Sequence, residues 1–270
     1  MIMGSLQKIR DEQKEAIRIH TDHLQEREYY GKEEDEKRKL RFYSDISPET
    51  PSFLSDLTVL MRERHIYTLL YKPHLYVYPW VDLQENGELK SLYSGKGMLP
   101  MEVIAADIRL LEMEAQAFAT TGDEKKLNCE HVVPQSWFNK KEPMRGDLHH
   151  LFACDPSCNS RRSNYPYKDF LDYSPETLIR TITDGCGKAD DGRFEPEYGK
   201  GIVARATFYF LIRYPDIIDK KQADLSLLLE WHNSFPVTLY EKHRNQAIEE
   251  LQGNRNPFID YPDWAGRCLS

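Results

Sequence analysis

One stretch, residues 127–170, constrains the chain more than any other: LNCEHVVPQSWFNKKEPMRGDLHHLFACDPSCNSRRSNYPYKDF. It sets Glu130 beside His131, His149 beside His150, and Asn159 in a run with Arg161, Arg162 and Asn164. Residues 127–133 are apolar and β-branched enough for a short strand. Pro134 lacks a backbone donor and ends it. Residues 147–152 predict a second short strand, and Pro156 and Ser157 open a helix whose first turns carry Asn159 and Arg162. A strand, a loop, a strand and a helix in this order aim a histidine at a strand end across a gap to a helix side chain. A metal ion and a phosphate fit such a gap.

The chain has 270 residues. That is enough for one large domain, or a domain with an extension, and for a core without disulfide staples. The net charge of −8 excludes a protein that coats nucleic acid through its overall field. The acids are uneven, however. Residues 11–36 are dense in Glu and Asp, while Lys and Arg recur after residue 139. The acidic stretch alone reads as a solvated helix face. No apolar run approaches the ~18 residues of a membrane span, so no membrane association is expected. The first residues are polar and charged, unlike a secretory leader. With five cysteines and no leader, reduced thiols and a cytoplasmic location are expected.

Outside the central stretch, helical spacing predicts helices over 5–39, with a break at Gly31, and over 53–71. Pro48 and Pro51 mark a linker. Residues 1–52 thus form a charged helical extension, and 53–270 the main domain. Residues 75–92 are rich in β-formers around the turn signal Asn86-Gly87. An amphipathic helix is expected over 100–120, started by Pro100. Ser174-Pro175 opens another helix, and 184–201 is a Gly- and Asp-rich loop. Helices then follow over 202–214, 223–234 and 239–251, the last stopped by Gly253.

Five segments in order, CEHVVPQSWF, GDLHHLF, CNSRRSNYPY, GIVARATFYF and QGNRNPF, resemble the endonuclease I family of bacterial nonspecific nucleases, in the ββα-metal or His-Me finger superfamily. The resemblance covers about the second half of the chain. It implies an α+β fold in which a ββα-metal core at 127–170 sits among helices. It implies divalent-metal-dependent, largely sequence-nonspecific cleavage of DNA, with RNA as a further substrate, to 5′-phosphate products. His131 would be the general base, and Glu130 and Asn159 the metal ligands. Many members of the family are secreted or periplasmic, which opposes the cytoplasmic expectation.

The residue types suit that chemistry. A neutral imidazole can take a proton from water near neutral pH. A carboxylate and an amide oxygen are ligands for a hard, largely hydrated cation such as Mg²⁺, with Mn²⁺ or Ca²⁺ as substitutes. Arg162 and Arg205 match family arginines and have the donor fork that suits phosphate, placing Arg162 with the catalytic residues. The alternative for both is a structural ion pair. Lys140, Lys141 and Arg145 are further phosphate-binding candidates in a loop shorter than that of some relatives. Asp147 and His149 are candidates to orient the base or the metal's waters. Asn254, Arg255 and Asn256 read as turn and scaffold residues. A competing reading is a noncatalytic nucleic-acid-binding module with a structural zinc on Cys154, Cys158, Cys129 and His149 or His150. A Cys154–Cys158 disulfide is a third use of those thiols.

Overall fold

The computed structural model describes residues 2–116, 129–175, 185–219 and 222–269. Helix α1 (Ile2–Glu26) is tied along its outer face by Arg18, which pairs with Glu15 and Asp22 one turn to either side. It lies along the helix over Pro100–Gln116, with Ala16 in the core. Helix α2 (Lys32–Phe42) follows Gly31 and carries acids in its first turn and Lys39 and Arg41 in its last, matching the helix dipole. Its buried Asp35 pairs with Arg255 at 2.9 Å. Helix α3 (Phe53–Arg64) buries Phe53, Leu57 and Met61 at i, i+4 and i+8. It ends seven residues before the expected 71, because Ile66 and Tyr67 turn their amides to the Gln252 carbonyl.

Residues 75–92 depart from the β-rich expectation. Pro73 starts a short helix, α4 (Pro73–Tyr76), which runs into a π-helical turn over Val77–Val81. All five residues of that turn are buried, and Tyr78 reaches across to Asp107 (Oη–Oδ2 2.9 Å). Tertiary packing here outweighs β propensity. The Asn86-Gly87 turn does form, with Gly87 at φ +79°, and closes a bridge between Leu83 and Leu89. Strands β1 (Leu89–Lys90) and β2 (Gly97–Met98) pair antiparallel beyond it. Helix α5 (Pro100–Gln116) buries Val103, Ile104 and Ile108 as its periodicity predicts. The rest of its expected span, to 120, lies outside the described residues.

Strand β3 (Cys129–His131) pairs antiparallel with β4 (Leu151–Ala153), Glu130 opposite Phe152. The second strand begins later than expected: Leu148–His150 form a 3-10 turn capped by the Asp147 carboxylate, which accepts from the His149 amide. Helix α6 (Pro156–Arg162) has Asp155 as its N-cap and Pro156 at its first position. The β3–β4 ribbon separates two apolar clusters. Leu151, Ala153 and Cys129 join the cluster under the π turn and α5. Phe152, Cys154 and Val132 join the other, alternating as a strand dictates.

The expected loop at 184–201 instead holds a hairpin, β5 (Lys188–Asp190) with β6 (Arg193–Glu195). Gly192 takes φ +66° at its turn. The helix expected at Ser174-Pro175 falls mostly outside the described residues. Helix α7 (Lys200–Arg213) is buried on nearly all sides. Helix α8 (Leu225–Ser234) packs against it. Helix α9 (Leu239–Gln252) opens with a capping box of Thr238 and Glu241. It ends at Gly253, φ +90°, where a Cβ would lie 2.7 Å from the Arg64 carbonyl oxygen. Short helices α10 (Pro257–Asp260) and α11 (Trp264–Leu269) finish the chain. Asn254, Arg255 and Asn256, which join α9 to α10, are wholly buried, with Arg255 on Asp35, Glu249 and Asp260. The described residues are therefore α+β, mostly helical, with three two-stranded sheets. No described helix is long and apolar enough to cross a membrane.

Candidate active site

A cleft of about 450 Å³ opens where the end of β3, the start of the following loop and the outer face of α6 meet. Glu130, His131, Asn159, Arg162, Lys140 and Arg145 all line it. The fold thus brings together most of the residues that the sequence singles out.

His131 lies at the last paired position of β3. Its Nε2 is 2.9 Å from the Arg145 carbonyl oxygen. A carbonyl only accepts, so Nε2 carries the proton and Nδ1 keeps its lone pair. The ring rests against Tyr71 (centroids 4.8 Å) and meets His150 edge-on at 5.4 Å. Burial, then the neighbouring His150, pushes its pKa well below the usual histidine value. The imidazole is therefore neutral at physiological pH, with its basic nitrogen defined.

Glu130, only 3% exposed, accepts from the Tyr93 hydroxyl at 2.8 Å on Oε1. The Arg162 Nε is 3.5 Å from the same oxygen. Asn159 donates Nδ2 to the Cys129 carbonyl at 3.0 Å. That bond fixes the amide's orientation and makes Oδ1 its remaining acceptor. Arg162 is wholly buried. Its guanidinium donates to the Val132 carbonyl (2.7 Å) and the Ser163 carbonyl (3.1 Å) and lies over Tyr167 at 4.8 Å. It braces the strand end and Glu130 from beneath. Arg145 stacks on Tyr71 at 5.1 Å and donates Nε to Gln135.

The remaining expected residues stand apart from the cleft. Arg205 closes on Glu241 through two donors and gives a third to the Phe235 carbonyl, which is the structural ion pair named as its alternative. Asp147 accepts from Tyr209 and Tyr214 (both 2.8 Å) and from Gln252 (3.1 Å). Burial would raise its pKa, but His65, His149 and His150 hold it below the usual value. His149 turns Nε2 to the Asn254 carbonyl. Lys141 is exposed and does not line the cleft.

Sequence reasoning assigned no site role to Tyr71, Tyr93, Gln135, Ser136, Ser163 or Asn164. Tyr71 and Tyr93 come from distant segments, and no local spacing signals them. The serines and amides sit inside the quoted motifs and could have been weighed as cleft-lining groups.

The cysteines meet the expectation of reduced thiols only in part. Cys158 is bonded to Cys186, and Cys129, Cys154 and Cys268 are free and buried. A disulfide to Cys186 removes Cys158 from both the zinc set and a Cys154–Cys158 bond. Among the described residues, no three His, Cys, Asp or Glu side chains converge as a zinc centre would require.

The endonuclease I family model matches residues 64–263. An extracellular ribonuclease of Bacillus amyloliquefaciens is 36% identical over 179 residues, covering 58% of this chain and 59% of the relative. An extracellular ribonuclease of Bacillus subtilis (strain 168) is 37% identical over 164 residues, covering 53% and 54%. A periplasmic deoxyribonuclease of Aeromonas hydrophila is 30% identical over 160 residues, covering 50% and 63%. The chain spans a little over half the length of the Bacillus relatives that it matches. Relatives named as extracellular or periplasmic overturn the cytoplasmic location expected from the absence of a leader, and a disulfide accords with them. With its family model matched over residues 64–263, this chain belongs to the endonuclease I family.

Proposed function

We propose that the chain is an endonuclease that hydrolyses phosphodiester bonds of DNA and RNA with little regard to sequence and acts outside the cytoplasm. In this reading β3, β4 and α6 form the ββα-metal core. The observation that carries it is the bonding of His131. Its Nε2 proton is held by the Arg145 carbonyl, which leaves Nδ1 as the acceptor in a cleft shared with Glu130 and Asn159.

Nδ1 takes a proton from a water molecule as that water attacks phosphorus. The bond from phosphorus to the 3′ oxygen breaks, and the departing oxygen takes a proton from solvent water, leaving a 5′ phosphate and a 3′ hydroxyl. Burial keeps the imidazole neutral and ready to accept. The Arg145 carbonyl stabilises the imidazolium that results, because the Nε2–H bond strengthens as the ring gains charge.

The donor set suits a hard cation. Glu130 supplies a carboxylate, and the bond from Asn159 Nδ2 to a carbonyl leaves the amide oxygen as its ligand atom. Two protein oxygens with water completing the shell fit Mg²⁺, with Mn²⁺ or Ca²⁺ as substitutes. When bound there, the ion would offset charge growing on the phosphate and the leaving oxygen. Tyr93 and Arg162 hold Glu130 in place. Arg145 and Lys140 supply positive charge along the cleft wall for the backbone phosphates.

Incubation with supercoiled plasmid and with RNA, in Mg²⁺ and in EDTA, tests the reading. Cleavage of both in Mg²⁺ and of neither in EDTA is expected. Undiminished cleavage in EDTA would refute the metal-dependent mechanism.

A further inference from the structure

Ser163 stands in a backbone conformation that a serine rarely adopts. It follows the last residue of α6 with φ +54° and ψ −129°, and the Tyr165 amide donates back to the Arg162 carbonyl at 3.2 Å. That is the first central position of a type II′ turn, where glycine is the ordinary residue because a Cβ is crowded there. The strained residue is held from both sides. Its amide donates to the Asn159 carbonyl at 3.0 Å, and its carbonyl accepts from Arg162 at 3.1 Å.

This turn forms one wall of the cleft. Ser163 and Asn164 are exposed and line it, with Ser136 beside them, 3.5 Å from Asn164 Nδ2. Lys140, which also lines the cleft, has φ +54° too. Two non-glycine residues in the left-handed region thus face one cavity. A glycine at 163 would relieve the backbone at the loss of a Cβ and its hydroxyl. Strain of this kind persists where the side chain has a use.

We infer that the strained turn is a substrate-binding element in which the Ser163 hydroxyl, flanked by Asn164, donates to a phosphate oxygen of the nucleic-acid backbone beside the scissile bond. The inference rests on the nuclease reading above and adds to it a contact that carries no positive charge. A phosphate contact is indifferent to base and to sugar, so it serves DNA and RNA alike.

The test separates hydroxyl from strain. Ser163→Ala keeps the Cβ and removes only the hydroxyl, while Ser163→Gly removes both. Binding is read by fluorescence anisotropy in EDTA, with a single-stranded DNA and an RNA of the same sequence, alongside thermal melting. Both variants should bind about three- to tenfold more weakly, the usual net worth of one solvent-accessible hydrogen bond. The loss should be equal for the two nucleic acids. Ser163→Gly should also melt about 2–4 °C higher, as relief of one strained residue predicts, while Ser163→Ala should not.

Unchanged binding by Ser163→Ala would overturn the inference, whatever the melting shows. So would a loss confined to RNA, which would assign the hydroxyl to the ribose, or a Ser163→Gly protein that melts no higher. A wild-type protein that binds neither oligonucleotide and cleaves neither plasmid nor RNA in Mg²⁺ would instead overturn the nuclease reading on which the inference rests.

Discussion

Glu130–His131 and Asp147–His149 are alike in residue type, and all four side chains are buried, yet they have different neighbours. The first pair lines an open cleft, and the bond from His131 to the Arg145 carbonyl makes Nδ1 its acceptor. The second pair is closed within the fold. Asp147 gathers two tyrosine hydroxyls, an amide side chain and a backbone N–H, and His149 is bonded to the Asn254 carbonyl. An acid beside a histidine is therefore not in itself a site. What matters is whether a basic atom faces a space that a reactant can enter.

That contrast can be broken by mutation. His131→Ala should slow single-turnover cleavage by roughly 10²–10⁴-fold, the usual worth of a general base, without loss of metal or nucleic-acid binding. A rate within a few fold of wild type would remove His131 from the chemistry. Asp147→Ala should act on stability instead. It leaves two buried hydroxyls and an amide without their acceptor, so about 3 kcal/mol or more of stability should vanish. Melting should fall on the order of 10 °C, and the folded fraction should still cleave at low temperature. A well-folded Asp147→Ala protein with no cleavage would place Asp147 in the mechanism.

A smaller effect sharpens the comparison. Burial, against the pull of Asp147, pushes the His149 pKa down to about 4. The unfolded chain titrates near its ordinary value of about 6.5. Between these values the unfolded state binds more protons, so stability rises with pH across the window. His149 therefore costs the fold nothing above about pH 6.5 and destabilises it progressively as pH falls toward 4. Buried His65 and His150 shift in the same direction. Melting followed from pH 7.5 to 4.5 should show this loss, and His149→Gln should flatten part of it. An identical pH profile in the variant would sink that assignment.

Much of the site was legible because its residues are local. Pro134, Pro156 and the basic run delimit a strand and a helix, and the structure has β3 and α6 close to where they were expected. Gly253 and the periodic helices α7 to α9 were legible for the same reason. The rest depends on contacts across the chain. Aromatic β-formers at Val77–Val81 became a π turn because the core around Asp107 takes Tyr78. Cys158 paired with Cys186 rather than with Cys154, which lies four residues away. Tyr93 reaches Glu130 from 37 residues upstream, a distance over which no spacing rule operates. Arg205 showed how a motif match can mark a scaffold residue: its fork is closed on Glu241.

The most direct test of the central division of roles is a Mg²⁺ titration of single-turnover cleavage in wild type, His131→Ala, Glu130→Ala and Asn159→Ala. Glu130→Ala and Asn159→Ala should need at least about tenfold more Mg²⁺ for half-maximal rate and recover much of their activity at high concentration. His131→Ala should saturate at the wild-type concentration and stay slow. If Mg²⁺ instead rescues His131→Ala while Glu130→Ala saturates like wild type, the roles are reversed and the mechanism is wrong.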